Sequence, residues 1–326
     1  MSYSPSFVSL SALLIGAPLL FGQSPTWQPP ANGFLYDSVT RSIRSIIGIP
    51  GSSYAGPTVE KDVAWACLAP NGHSGLILRG EQVLLFQDFA DTSRNAITLE
   101  FGEKPAGCLW SADSTRAILL LPQTSSLIWI SGLDVAPTTD IRRDLSSLEP
   151  TGWSLLAADM KADAIVLSAK NGSDSTIYTA SSTSSPISLG TVQRPVAAAF
   201  ANRSGAIYLA DADAHIIYGI QPQANPALQP LFTADDGIGE PAGLLVTNQD
   251  QQLVISDAAA QSIRIFDLNS HASVLNLELY DAPGPIVPLA PSRFLVNHRE
   301  RSDQPFRFLD TSGVFKIVFI PVGESL

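Results

Sequence analysis

The sequence predicts an all-β chain on three observations: a unit of about 41–47 residues that recurs, short apolar runs divided by turn residues, and no sustained helical period. Residues 66–78 align with 107–119 without a gap at an offset of 41, and the same frame returns at 154–166, 195–208 and 241–255, more loosely at 285–296. A unit of this length is one blade of four antiparallel strands, so the chain is expected to form a single β-propeller over residues 23–326. Six units start near 64, 104, 151, 194, 240 and 283, and residues 26–50 are strand-like as well. Seven blades is the simplest count, with the N-terminal segment making most of one blade beside the C-terminal strands. Six blades, with the N-terminal strands shared into the last one, is the alternative. Either closure removes the open sheet edges that would pair with other chains.

Each unit justifies its strands in the same order. A first run of small and apolar residues, such as Pro195-Val196-Ala197-Ala198-Ala199-Phe200, suits the crowded centre where blades converge. A polar turn follows (Pro70-Asn71-Gly72, Asn202-Arg203-Ser204), then a β-branched run, another turn and an alternating segment such as Ser262-Ile263-Arg264-Ile265-Phe266. Trp65, Trp110, Trp129 and Trp153 fall on or beside these runs and are expected to pack between blades.

Some units carry a more specific pattern. Leu209-Ala210-Asp211 before His215-Ile216-Ile217-Tyr218, Ile255-Ser256-Asp257 before Gln261-Ser262-Ile263-Arg264, and Leu35-Tyr36-Asp37 before Arg41-Ser42-Ile43-Arg44 share one frame. Together with the linker Asp235-Asp236-Gly237-Ile238-Gly239-Glu240-Pro241, they resemble NHL repeats over residues 194–268 and 33–50. Between 64 and 192 the chain is closer to lactonase-type or generic bacterial propellers. The resemblance implies fold far more than activity, because propellers host unrelated functions.

Residues 7–21 are apolar or small throughout, and Gly22-Gln23-Ser24 and a proline-rich stretch follow. Residues 1–22 therefore read as a secretory leader, although no Lys or Arg precedes Arg41 and no clean cleavage motif is present. The run is shorter than the ~20 apolar residues of a membrane span and is broken by Pro18. The mature protein is expected to be secreted or periplasmic, with no transmembrane span. Nothing signals oligomerisation, so a monomer is expected. A net charge of −11 with 19 scattered basic residues argues against nucleic acid as a partner. Cys67 and Cys108 occupy equivalent positions of neighbouring units in the 41-residue frame, so their side chains should point the same way round the ring. Two buried free thiols are expected rather than a disulfide.

HExxH, CxxC, P-loop and GxSxG motifs are all missing. The string Asp211, Asp213, His215 reads as ordinary turn chemistry. The loops leading into the first strand of each unit are richer: they carry Glu60 and Asp62, Glu103, Glu149, Arg194, Glu240 and Asp281. In a propeller these loops gather at one mouth of the central channel, where carboxylates around Arg194 focus a field that suits a divalent cation or a basic ligand. Sugar lactonases use a similar mouth for a metal, although their ligand motifs are not recognisable here. The polar stretch His298, Arg299, Glu300, Arg301 interrupts the last unit and is a candidate contact loop. The leading expectation is an exported, non-catalytic propeller that binds a protein or a glycan, with no cofactor. The alternative is a lactonase-type hydrolase whose acidic mouth holds a divalent cation as a Lewis acid.

Overall fold

The computed structural model describes residues 31–49, 52–91, 93, 95–148, 150–221, 226–247, 249–290, 292–297 and 299–322. The expected leader, residues 1–22, lies outside them, as do Glu149 and His298. Seven antiparallel sheets follow one another along the chain, six of four strands and the first of three among the described residues. They are the seven blades of a β-propeller, numbered here in chain order. The six-blade alternative falls. Helical structure among the described residues is confined to two three-residue 3₁₀ turns, Ser146–Leu148 and Ala234–Asp236.

In blades 2–7 the first strand lies innermost and the fourth outermost: Val63–Leu68 to Ile97–Leu99, Gly107–Trp110 to Thr138–Asp144, Gly152–Asp159 to Ile187–Val192, Pro195–Phe200 to Gln229–Phe232, Pro241–Thr247 to Ser273–Glu278, and Val287–Ala290 to Lys316–Ile320. Blade 1 consists of Ala31–Asp37, Ser42–Ile49 and Ser52–Glu60. Its Leu35-Tyr36-Asp37 corresponds to Leu209-Ala210-Asp211 and Ile255-Ser256-Asp257, which lie on the second strands of blades 5 and 6. The described strands of blade 1 are thus the second, third and fourth of the common plan.

What holds the ring is the burial of both faces of each sheet's second strand. Ala117–Leu121 is buried at every residue, and its side chains alternate between two cores. Ala117, Leu119 and Leu121 join Leu76, Leu78, Val83 and Leu85 of blade 2. Ile118 and Leu120 join Ile165, Leu167 and Ala180 of blade 4. A period of two does this in any strand buried on both faces. Among the described residues seven such apolar clusters occur, one for every pair of neighbouring blades. The seventh, Leu35, Ile46 and Ala55 with Leu289, Phe306, Phe308 and Ile320, joins blade 1 to blade 7 and closes the circle. At the rim the amide of Ala55 donates to the Pro321 carbonyl at 2.9 Å, which ties the outermost strands together. The four tryptophans pack as expected, Trp65 and Trp110 against the core between blades 2 and 3, Trp129 and Trp153 against that between blades 3 and 4.

The cysteines do not follow the expectation. Cys67 and Cys108 form a disulfide between the innermost strands of blades 2 and 3, with Cα atoms 6.2 Å apart. The reason is a register error of one residue in the ungapped frame. Trp65 pairs with Leu78, and Gly107 pairs with Leu120, so the structurally equivalent positions lie 42 residues apart, not 41. Cys108 therefore matches Ala66, and Cys67 matches Leu109. A slip of one residue sends every side chain of a strand to the other face. Cys67 lies opposite Leu76 and Cys108 opposite Leu119, and both leucines point into the core between blades 2 and 3. The two sulfurs thus face each other across the interface.

Candidate functional site

The acidic residues of the loops leading into the inner strands are found already engaged. Glu60, at the end of the outermost strand of blade 1, makes an ion pair with Arg79, which ends the second strand of blade 2. Glu103 accepts from the amides of Gln123 and Thr124 at 2.7 and 3.0 Å and from the Thr124 hydroxyl, and so clasps the turn between the second and third strands of its own blade. Glu240 takes a hydrogen bond from Arg194 at 2.7 Å, while Nε of Arg194 donates to Asp213 at 2.5 Å. The bond to Asp213, then that to Glu240, holds the Arg194 guanidinium above its ordinary pKa. Asp281 pairs with Arg307, whose side chain is only 5% exposed. Asp62 is exposed on a left-handed turn with φ of 55°. Each of these engaged groups ties a lead-in loop to the end of a second strand or to its neighbour. Of the candidate residues the hydrogen bonds bring together Arg194 and Glu240, and among the described residues no three His, Cys, Asp or Glu side chains converge on a point where a metal ion could sit.

The aspartate of the repeated pattern performs the same stitching from beneath. Asp211 is fully buried and accepts from the amides of Gln193 and Arg194 at 2.8 and 3.0 Å, and from Ala214 at 3.2 Å. Asp257, equally buried, accepts from Gly239, Glu240 and Ala260 at 2.7, 2.9 and 3.0 Å. A carboxylate that accepts several amide bonds repays its desolvation, which is why this residue type recurs at this place. Sequence reading identified the motif but not this role; the signal was the aspartate's distance of 16 residues from the proline that opens the inner strand in blades 5 and 6.

Blade 1 departs from this plan. Asp37 accepts from Val39 at 3.1 Å and Thr40 at 3.5 Å, and its remaining oxygen receives Arg299 at 2.6 Å. The two side chains are 0% and 2% exposed. Arg299 also donates to the carbonyls of Arg301 (3.2 Å) and Ser302, and its guanidinium lies 4.2 Å from the centre of the Phe306 ring. Expected as part of a contact loop, Arg299 is instead an internal brace between the last blade and the first. Glu300 and Arg301 remain exposed, with Arg301 bonded to Asp303 at 2.7 and 3.0 Å.

Beside this ion pair lies a cavity of about 440 Å³. Tyr36 and Asp37 of blade 1 line it, with the inner strands of blades 2, 3 and 7, both cysteines, Trp65 and Trp110. The Trp110 indole donates to the Cys67 carbonyl at 3.0 Å, and the Tyr36 hydroxyl to the Val63 carbonyl at 3.1 Å. Apart from Asp37 and Arg299, which neutralise each other, the wall is uncharged.

No protein-family profile matches the sequence, and no curated protein matches it. Solved structures do. Kuenenia stuttgartiensis hydrazine synthase is similar with a TM-score of 0.58 and 11% identity, over 86% of this chain and 92% of that one. Virginiamycin B lyase from Staphylococcus aureus, in an inactive form with quinupristin, is similar with a TM-score of 0.56 and 11% identity over 80% and 84%. A functionally unknown protein from Desulfotomaculum acetoxidans reaches 0.54 at 14% identity over 76% and 78%. Likeness at this level of identity establishes the β-propeller fold alone.

Proposed function

We propose that this chain is an exported, non-catalytic propeller of NHL type that binds a protein or a glycan through one face of its ring. The observation that carries the reading is the engagement of the mouth carboxylates: Glu60, Glu103, Glu240 and Asp281 each hold a loop or a guanidinium in place. A carboxylate committed to such a bond is poorly placed to share an ion, whose oxygen ligands must all come within about 2.3–2.6 Å for calcium. The buried aspartates supporting the lead-in loops of blades 5 and 6 favour the NHL relationship, and a disulfide favours an oxidising compartment. Propellers of similar fold occur in the nidogen/laminin complex and the mitotic checkpoint complex, both assemblies of proteins.

The face opposite the mouth supplies an apolar surface for such a partner. Fourth strands begin on that face, and exposed apolar residues stand within three residues of their starts in several blades: Val135, Ile187, Val274 and Val314, of which Val314 is 87% exposed.

A thermal-shift titration of residues 23–326 with Ca²⁺, Mg²⁺, Zn²⁺ and Mn²⁺, against an EDTA control, separates this reading from a metal-dependent hydrolase. A ligand at one hundred times its Kd adds about 2.7 kcal/mol to stability. The expected result is no shift with any ion. A raised midpoint that Glu103→Gln or Glu240→Gln abolishes would instead establish the hydrolase reading and direct a screen of lactones and esters.

A further inference from the structure

Two Asn-Gly pairs stand at hairpin turns, and their surroundings differ. Asn71-Gly72 joins the first and second strands of blade 2. The Asn71 side-chain carbonyl accepts from the amides of His73 and Ser74 at 2.9 and 3.0 Å, and its NH2 group donates to the Ser74 hydroxyl at 2.8 Å. The Gly72 amide donates to the Ala69 carbonyl at 3.0 Å, and the residue is buried against Leu289. Asn171-Gly172 joins the second and third strands of blade 4, Ala164–Asn171 and Asp174–Ala180. Residues 170–174 are all exposed, and Gly172 turns at a φ of 69° with open space where a side chain would be. Among the described residues neither the Asn171 side chain nor the Gly172 amide has a hydrogen-bond partner.

We propose that Asn171 is a modification site, at which water converts the side-chain amide to a carboxylate without an enzyme. The Gly172 amide nitrogen, having lost its proton, attacks Cγ of Asn171. A new N–C bond closes a succinimide ring, the bond to the side-chain nitrogen breaks, and that nitrogen leaves as ammonia with the proton. Water then opens either ring carbonyl, giving aspartate where the original backbone is restored and isoaspartate where the backbone runs through Cγ. The net change is water in and ammonia out, with nothing oxidised or reduced. Glycine permits the step because no Cβ blocks the approach of its nitrogen. Asn171 is free to rotate its Cγ onto that nitrogen, the proximity that ring closure needs. At Asn71 the same rotation breaks the bonds to His73 and Ser74. The new carboxylate stands across from Asp174, the partner of Asn171 in the last pair of the hairpin, where like charges are destabilising. Isoaspartate also lengthens the backbone within that pair. The Lys170 carbonyl, one residue back, accepts from both the amide and the hydroxyl of Thr151 at 2.8 Å, so the change acts on the segment leading into blade 4.

Incubation of the purified protein in mildly alkaline buffer, beside a free peptide of residues 166–176, tests this. Peptide mapping by mass spectrometry reads the conversion, and an isoaspartyl methyltransferase marks the isomer. The expected result is conversion of Asn171 with Asn71 intact, and no isoaspartyl signal from the same peptide in Asn171→Gln. An intact Asn171 in the folded protein after the free peptide has fully converted would overturn the assignment, and so would conversion of Asn71 as fast as Asn171. The consequence is read on Asn171→Asp, which carries the charge of the product: amide hydrogen exchange at Thr151 should rise about two- to fivefold. Unchanged exchange there would overturn the link to the segment leading into blade 4.

Discussion

Arg299→Ala is expected to destabilise the ring by about 3–5 kcal/mol, because it leaves the Asp37 carboxylate buried without its partner. The sequence separation of 262 between the two residues makes the bond a fastening between the first and last blades rather than a local contact. The size of the effect comes from the charge left behind, not from the pair's intrinsic strength. Removing both charges, with Asp37→Asn and Arg299→Leu together, should therefore cost less than Arg299→Ala alone. Urea unfolding of the two single variants and the double variant provides the cycle. A loss within about 0.5 kcal/mol for Arg299→Ala, the ordinary range for an exposed residue, would show that Arg299 is a surface contact after all.

The second large effect belongs to the disulfide. Cys67 and Cys108 enclose 41 residues, and loop-closure entropy for that length gives about 4 kcal/mol, with about 2–4 kcal/mol the usual yield. Cys67→Ala with Cys108→Ala should lower stability by that amount, and the wild-type protein under reducing conditions should match the double variant. A thiol-reactive dye should label the unfolded, unreduced wild type at neither position. Labelling at both would return the pair to free thiols packed between blades.

How legible this molecule was depended on which interactions are local. The repeat, the turns, the apolar strands and the seven-fold count follow from patterns within about 45 residues, and they appear where the sequence placed them. Face assignment within the inner strand was not legible. The inner strand carries a bulge, between Val63 and Trp65 in blade 2, Pro195 and Ala197 in blade 5, and Pro241 and Gly243 in blade 6. The residues compared begin beyond the blade 2 bulge, so the slip lies in the offset itself, 42 residues rather than 41, and one residue was enough to hide the disulfide. The partners of the lead-in acids were hidden from sequence. Arg79 and Arg307 lie 19 and 26 residues from Glu60 and Asp281, on other strands. Arg299 was misread for the same reason in stronger form: its loop is polar in sequence, and only the closed ring brings Asp37 beneath it.

The central claim is that the mouth carboxylates brace the fold rather than await a metal ion, and the two possibilities differ in sign. Carboxylates crowded to receive an ion repel one another when it is absent, so neutralising one of them raises stability. Braces lose a charge-assisted bond, which for half-exposed groups such as Glu240 and Asp281 costs about 0.2–1 kcal/mol each. The direct measurement is urea unfolding in EDTA of Glu60→Gln, Glu103→Gln, Glu240→Gln and Asp281→Asn. A lowered midpoint for every variant is the predicted result; raised midpoints for two or more of them would contradict the account and identify the mouth as a metal site.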